Sequence, residues 1–173
     1  MNDCAAIRRA IDLCDIGSAK ILARPDVSWV GVYPFMTEGD YPYLKDVAQR
    51  VSAQLEATVF GFMVPQGAEF CYVLCENGRI VDEFRLQKDG EGAGADGNAD
   101  VLLEQCVSGT NKSDVEEALQ KPLPVATEAV PAGANSGAGA GDKTAIRIAK
   151  LLGIPRAQLC TGYNHLKWAQ AGR

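Results

Sequence analysis

The dipeptide Asn77-Gly78, set between two runs of strand-forming residues, constrains this chain more than any other feature. A two-residue hairpin loop needs positive φ at both positions, which Asn and Gly tolerate best, and it fixes which flanking residues face each other. The spacing predicts a β-hairpin from Glu69 to Leu86, pairing Glu76 with Arg79, Cys75 with Ile80, Val73 with Asp82 and Cys71 with Phe84. Strand alternation then puts Cys71, Val73, Cys75, Ile80 and Phe84 on one face, read as the core face. Phe70, Tyr72, Leu74 and Val81 share the other with Glu83 and Arg85. Asp82 falls among apolar neighbours, where an ionised carboxylate is costly unless it is hydrogen-bonded or paired. A rim position with a bond to a backbone N–H or an Arg accounts for Asp82 more simply than a functional carboxylate does. A register differing by one residue would make it an exposed acid.

Around the hairpin the periodicity alternates between helix and strand. Cys4, Ile7, Ile11 and Cys14 recur at helical spacing after a candidate cap at Asn2 or Asp3, and the helix breaks near Gly17. Val27 to Tyr33 reads as a strand stopped by Pro34. Asp40 and Pro42 then open a helix whose buried stripe is Leu44, Val47, Ala48, Val51 and Leu55. The uninterrupted apolar run Ala57 to Val64 is expected to be the central strand, covered on both faces. Beyond the hairpin, Asp89 to Asn98 reads as a flexible loop leading into helices over Ala99 to Val107 and Asp114 to Leu119. The Pro/Gly/Ala-rich stretch 121–141 is a second loop, after which Asp142 caps a helix through Leu152, stopped by Gly153. The fold class expected is α+β: a small, mostly antiparallel sheet of about four strands, with a βαβ crossover continued by a meander hairpin and several packed helices.

With 173 residues, of which 47% are hydrophobic, the chain has the size of one domain spanning 1–173. No apolar run approaches the roughly 18 residues a spanning helix needs, and Met1 to Arg9 does not resemble a secretory leader. The six scattered cysteines read as reduced thiols in a cytoplasmic protein. The net charge of −5 is uneven, because the segment from Asp142 onward carries six Lys or Arg against one Asp. An overall acidic chain argues against nucleic acid as a partner.

Four fragments approach known chemistry. Gly137 to Thr144 lies at a helix start, where glycines let backbone N–H groups approach an anion, but Asp142 interrupts a Walker loop. Within it, Gly139-Ala-Gly-Asp142 resembles the anion-hole motif of the ribokinase-like sugar kinases, which implies a backbone cradle for phosphate with Asp142 as base. The resemblance covers four residues, and no sugar- or nucleotide-binding half precedes them. Asp96, Asn98 and Asp100 alternate like calcium ligands, yet Val101 and Val107 stand where an EF-hand has Gly and Glu. His165, the sole histidine, could act as a base beside Tyr163, Lys167 and Trp168, though no nucleophile turn accompanies it.

Taken together, these features read as a non-enzymatic protein-interaction module of regulatory, adaptor or immunity-like type, with a protein as partner and neither cofactor nor metal. The alternative is a small-molecule or phosphate-binding protein or enzyme, with candidate ligand-binding residues Gly139, Gly141, Lys143, Thr144, His165 and Asp82.

Overall fold

The structure, a computed structural model, describes residues 4–17, 19–22, 29–34, 40–64, 69–86, 96–120 and 140–155. In chain order these form α1 (Cys4–Leu13), β1 (Ala19–Leu22), β2 (Gly31–Pro34), α2 (Tyr41–Leu55), β3 (Thr58–Met63), β4 (Phe70–Glu76), β5 (Arg79–Leu86), α3 (Ala99–Glu104), α4 (Lys112–Leu119) and α5 (Ala140–Leu151). The chain is α+β, with a small antiparallel sheet packed by helices.

The expected crossover is not formed. β2 pairs antiparallel with β1, and β3 pairs antiparallel with β4, so the strand–helix–strand run places its two strands in different sheets. The helix between them ends where the sequence says it should. Asp40 accepts a hydrogen bond from the Tyr43 N–H at 2.9 Å, Pro42 sits in the first turn, and Glu56 closes the helix in the left-handed region. Its stripe splits between two clusters, Val47 and Val51 packing on Ile11, Cys14 and Ile16, and Leu44 and Ala48 on Val73 and Cys75. Arg50 donates to the Cys14 carbonyl, capping the C-terminal end of α1 with a cation.

The three-stranded sheet runs β3-β4-β5, so β4 is central and β3 lies at an edge. The opposite expectation came from the apolar run over 57–64. That run reflects helices and aromatic rings above and below β3, and face coverage alone does not specify a place in the sheet.

The hairpin turn forms as expected, with Asn77 at φ 48° and Gly78 at φ 79°. A Cβ on Gly78 would lie 2.8 Å from the Ala53 Cβ, so the turn tip sits directly on α2. Buried Ser52 fastens it there, donating to the Ala57 carbonyl at 2.7 Å and accepting from the Gly78 N–H at 3.2 Å.

Beyond Cys75–Ile80 the expected register fails by one residue. Val81 is an extra residue in β5, and the pairs that follow are Leu74–Asp82, Tyr72–Phe84 and Phe70–Leu86, in place of Val73–Asp82 and Cys71–Phe84. The bulge moves Phe84 onto the face of Phe70 and Tyr72, where it stacks on Tyr72 at 5.7 Å between ring centroids. Glu83 and Arg85 turn to the α2 side. Phe70 to Cys75 are all buried, so both faces of β4 are core and not one.

On the aromatic face α3, α4 and α5 contribute Leu102, Val115, Ala118, Ala145 and Ile148, and Leu152 follows α5. α3 is shorter than expected, α4 begins earlier, and α5 begins at Ala140, so residues 140 and 141 belong to a helix instead of the expected loop. Asp142 is therefore the third residue of α5 and not its cap. Gly153 terminates α5 as expected: at φ 68° its N–H reaches the Lys150 carbonyl, and the Ile154 N–H reaches that of Ala149. Trp29 anchors the segment before β2 through a 2.7 Å bond from Nε1 to the Leu152 carbonyl.

Candidate functional site

Asp82 is buried although the register differs by one residue from the expected one, because the face it turns to is also core. Tyr72 donates its hydroxyl to Oδ2 at 2.6 Å, and the Asn98 N–H donates to Oδ1 at 2.9 Å. The backbone N–H partner expected for this acid is thus Asn98. Burial pushes the Asp82 carboxyl above its ordinary range, and the bonds from Tyr72 and Asn98 pull in the opposite direction. Burial, with Asp82 beside it, likewise raises the Tyr72 hydroxyl far above the usual phenol range.

The residues around this pair make it a clamp. Asn98 uses its own side chain to cap α3, accepting from the Asp100 and Val101 N–H groups. Asp96 bridges to Phe84 along the outer side of β5. Gly97, at φ 70°, lets the chain pass so close that a Cβ there would sit 3.0 Å from the Tyr72 hydroxyl. Tyr72 is fully buried, and the carboxylate between its hydroxyl and the Asn98 N–H joins α3 to the sheet.

Two of the other sequence-derived site residues are not described, and three lie on α5. Gly139 and His165 lie outside the described residues, as do the end of the chain carrying Tyr163, Lys167 and Trp168, the loop over 121–139 and most of the loop over 89–98. Gly141 is in the first turn of α5; Lys143 is exposed and Thr144 is buried on that helix. In the calcium-like triplet, Asn98 is committed to its cap and Asp100 pairs with Lys112 at 2.7 Å. Among the described residues, no group of three or more His, Cys, Asp or Glu side chains is placed to hold a metal ion.

On the α2 side, Glu83 meets Lys45 at 3.2 Å, and the Tyr41 hydroxyl donates to the Tyr72 carbonyl at 3.0 Å. Beside them, Tyr41, Met63, Cys71 and Arg85 help line a cavity of about 80 Å³. Sites for drug-sized ligands run to roughly 300–1,000 Å³, so this one is too small for such a molecule. Burial raises the Cys71 thiol to about 12 and the Cys75 thiol to about 11, which leaves both as packed, unreactive groups.

Sequence reasoning missed the outer edge of β3. Among the described residues no strand pairs with it, all six of its residues are half-buried, and none is charged. An unpaired edge presents a row of backbone N–H and C=O groups to any extended chain, and charges, bulges or prolines are the usual protections. The lack of charge over Ala57 to Val64 was visible in the sequence and was read there as a sign of centrality. No helix among the described residues is long and apolar enough to cross a membrane. No protein-family model matches the chain, and comparison with curated proteins and with solved structures gives no match.

Proposed function

We propose that this protein is a non-enzymatic interaction module that binds a protein partner by adding an extended strand to the outer edge of β3. The observation that carries this reading is the outer edge of β3, which no described strand pairs and whose six residues carry no charge or proline, beside a central strand buried from Phe70 to Cys75. Strand addition draws its affinity from main-chain hydrogen bonds and its selectivity from side chains flanking the edge. Here those flanking groups are apolar, Phe60 and Phe62 on one face and Val59 and Met63 on the other. The cytoplasm is the compartment proposed for this binding, since the described cysteines are free thiols and three of them are buried as apolar groups.

A photo-crosslinking residue in place of Thr58, at the start of β3, tests the reading in cells that produce the protein. Adducts with protein are expected from position 58 and not from position 79, at the start of β5. Equal labelling from both positions, or none from 58, would remove the basis for a β3 binding edge.

A further inference from the structure

We infer that the strand accepted by the β3 edge is β3 of a second copy of this chain, giving an antiparallel dimer with its two-fold axis at Gly61. This rests on the reading of β3 as a binding edge and names its occupant. A two-fold interface needs a surface complementary to itself. The sequence of β3 has that property about Gly61: Phe60 mirrors Phe62, and Val59 mirrors Met63.

The faces agree with the symmetry. Phe60 and Phe62 stand on the aromatic side of the sheet, opposite Leu74 and Tyr72, while Val59 and Met63 stand on the α2 side, opposite Cys75 and Cys71. Pairing through Gly61 brings Phe60 opposite Phe62 of the second copy, twice, and Val59 opposite its Met63, twice. Aromatic and aliphatic cross-strand pairs of this kind stabilise a sheet. The row of rings already crossing each sheet, with Phe60 to Tyr72 at 5.1 Å and Tyr72 to Phe84 at 5.7 Å, would continue from one copy into the other. No like charges meet, because β3 has none; half of β5 is charged. Gly61 itself has little room for a side chain, since a Cβ would lie 3.1 Å from the Val73 side chain and 3.3 Å from that of Ala48, and a neighbour would have to give way.

In this pairing Thr58 lies opposite Val64 of the second copy, which supplies the test. Sedimentation equilibrium of the full chain is expected to show a dimer that dissociates on dilution. The double variants Thr58→Lys/Val64→Lys and Thr58→Glu/Val64→Glu are each expected to be monomeric, and an equal mixture of the two dimeric, a rescue that misfolded variants would not give. A wild-type chain that stays monomeric up to its solubility limit overturns the inference. So does a dimer that the charges leave intact, or a mixture that fails to reassociate. The crosslinker at position 58 separates the two levels. An adduct of two copies supports the dimer; an adduct with a different protein refutes the dimer and keeps the binding edge; no adduct refutes both.

Discussion

β3 and β5 flank the same buried strand, and their outer edges are built in opposite ways. β5 carries Arg79, Asp82, Glu83 and Arg85, is interrupted by the bulge at Val81, and is crossed by the Asp96–Phe84 bridge. β3 pairs in regular register with β4, is uncharged, and has no strand on its outer side among the described residues. Charge, bulges and a covering segment are the devices by which sheets avoid pairing with other chains. Among the described residues one edge has all three, while the other has no charge, bulge or paired segment, and that difference is the basis for proposing β3 as the strand-accepting edge.

The largest expected effect comes from opening the protected side. Asp82→Ala leaves the buried Tyr72 hydroxyl without its acceptor and frees the Asn98 N–H, which should cost about 2–3 kcal/mol in urea unfolding. Faster amide exchange at the start of α3 should accompany it. A loss under roughly 0.5 kcal/mol, the scale of ordinary surface changes, would mean the clamp does not hold that edge.

Gly97→Ala asks the same question through the backbone. Its φ of 70° and the 3.0 Å approach to the Tyr72 hydroxyl predict a cost of about 1–2 kcal/mol, measured as a lowered denaturation midpoint. The pH dependence of the clamp is smaller and has a definite sign. Because burial raises the Asp82 carboxyl, the folded chain holds its proton more tightly than the unfolded chain does. This group's contribution is therefore fully present below the unfolded value of about 3.9 and is lost as pH rises through the folded value. Wild type should gain stability relative to Asp82→Asn as pH falls from neutral towards about 4; a constant difference would show that Asp82 is not perturbed.

The smallest effect on stability is expected on the open side. Thr58→Lys should change unfolding by less than about 0.5 kcal/mol, yet abolish the association that depends on β3. A large loss of stability would mean that the edge is already covered within the molecule.

Local chemistry made much of the fold legible. The Asp40 cap, Pro42 and the stripe from Leu44 to Leu55 delimit α2, and Asn77-Gly78 fixes the turn. What escaped was non-local. Nothing near Val81 announces a bulge, because its benefit, stacking Phe84 on Tyr72, is a tertiary one. β1 escaped because Ala19–Leu22 is short and gains its place only by pairing with β2. Asp82 stood out for the right reason, an acid among apolar neighbours, but its partner Asn98 lies 16 residues further along the chain, a separation that periodicity does not bridge. The β3 edge was misplaced because apolar composition reports covered faces and is silent about neighbours in the sheet.

Amide hydrogen exchange of dilute wild-type protein, read separately for β3 and β5, tests the contrast between the edges most directly. Every second amide of β3 is expected to exchange rapidly at low concentration and to slow as concentration rises, while β5 stays protected around Phe84 at all concentrations. β3 amides as protected as those of β4 at the lowest concentration would contradict an open edge.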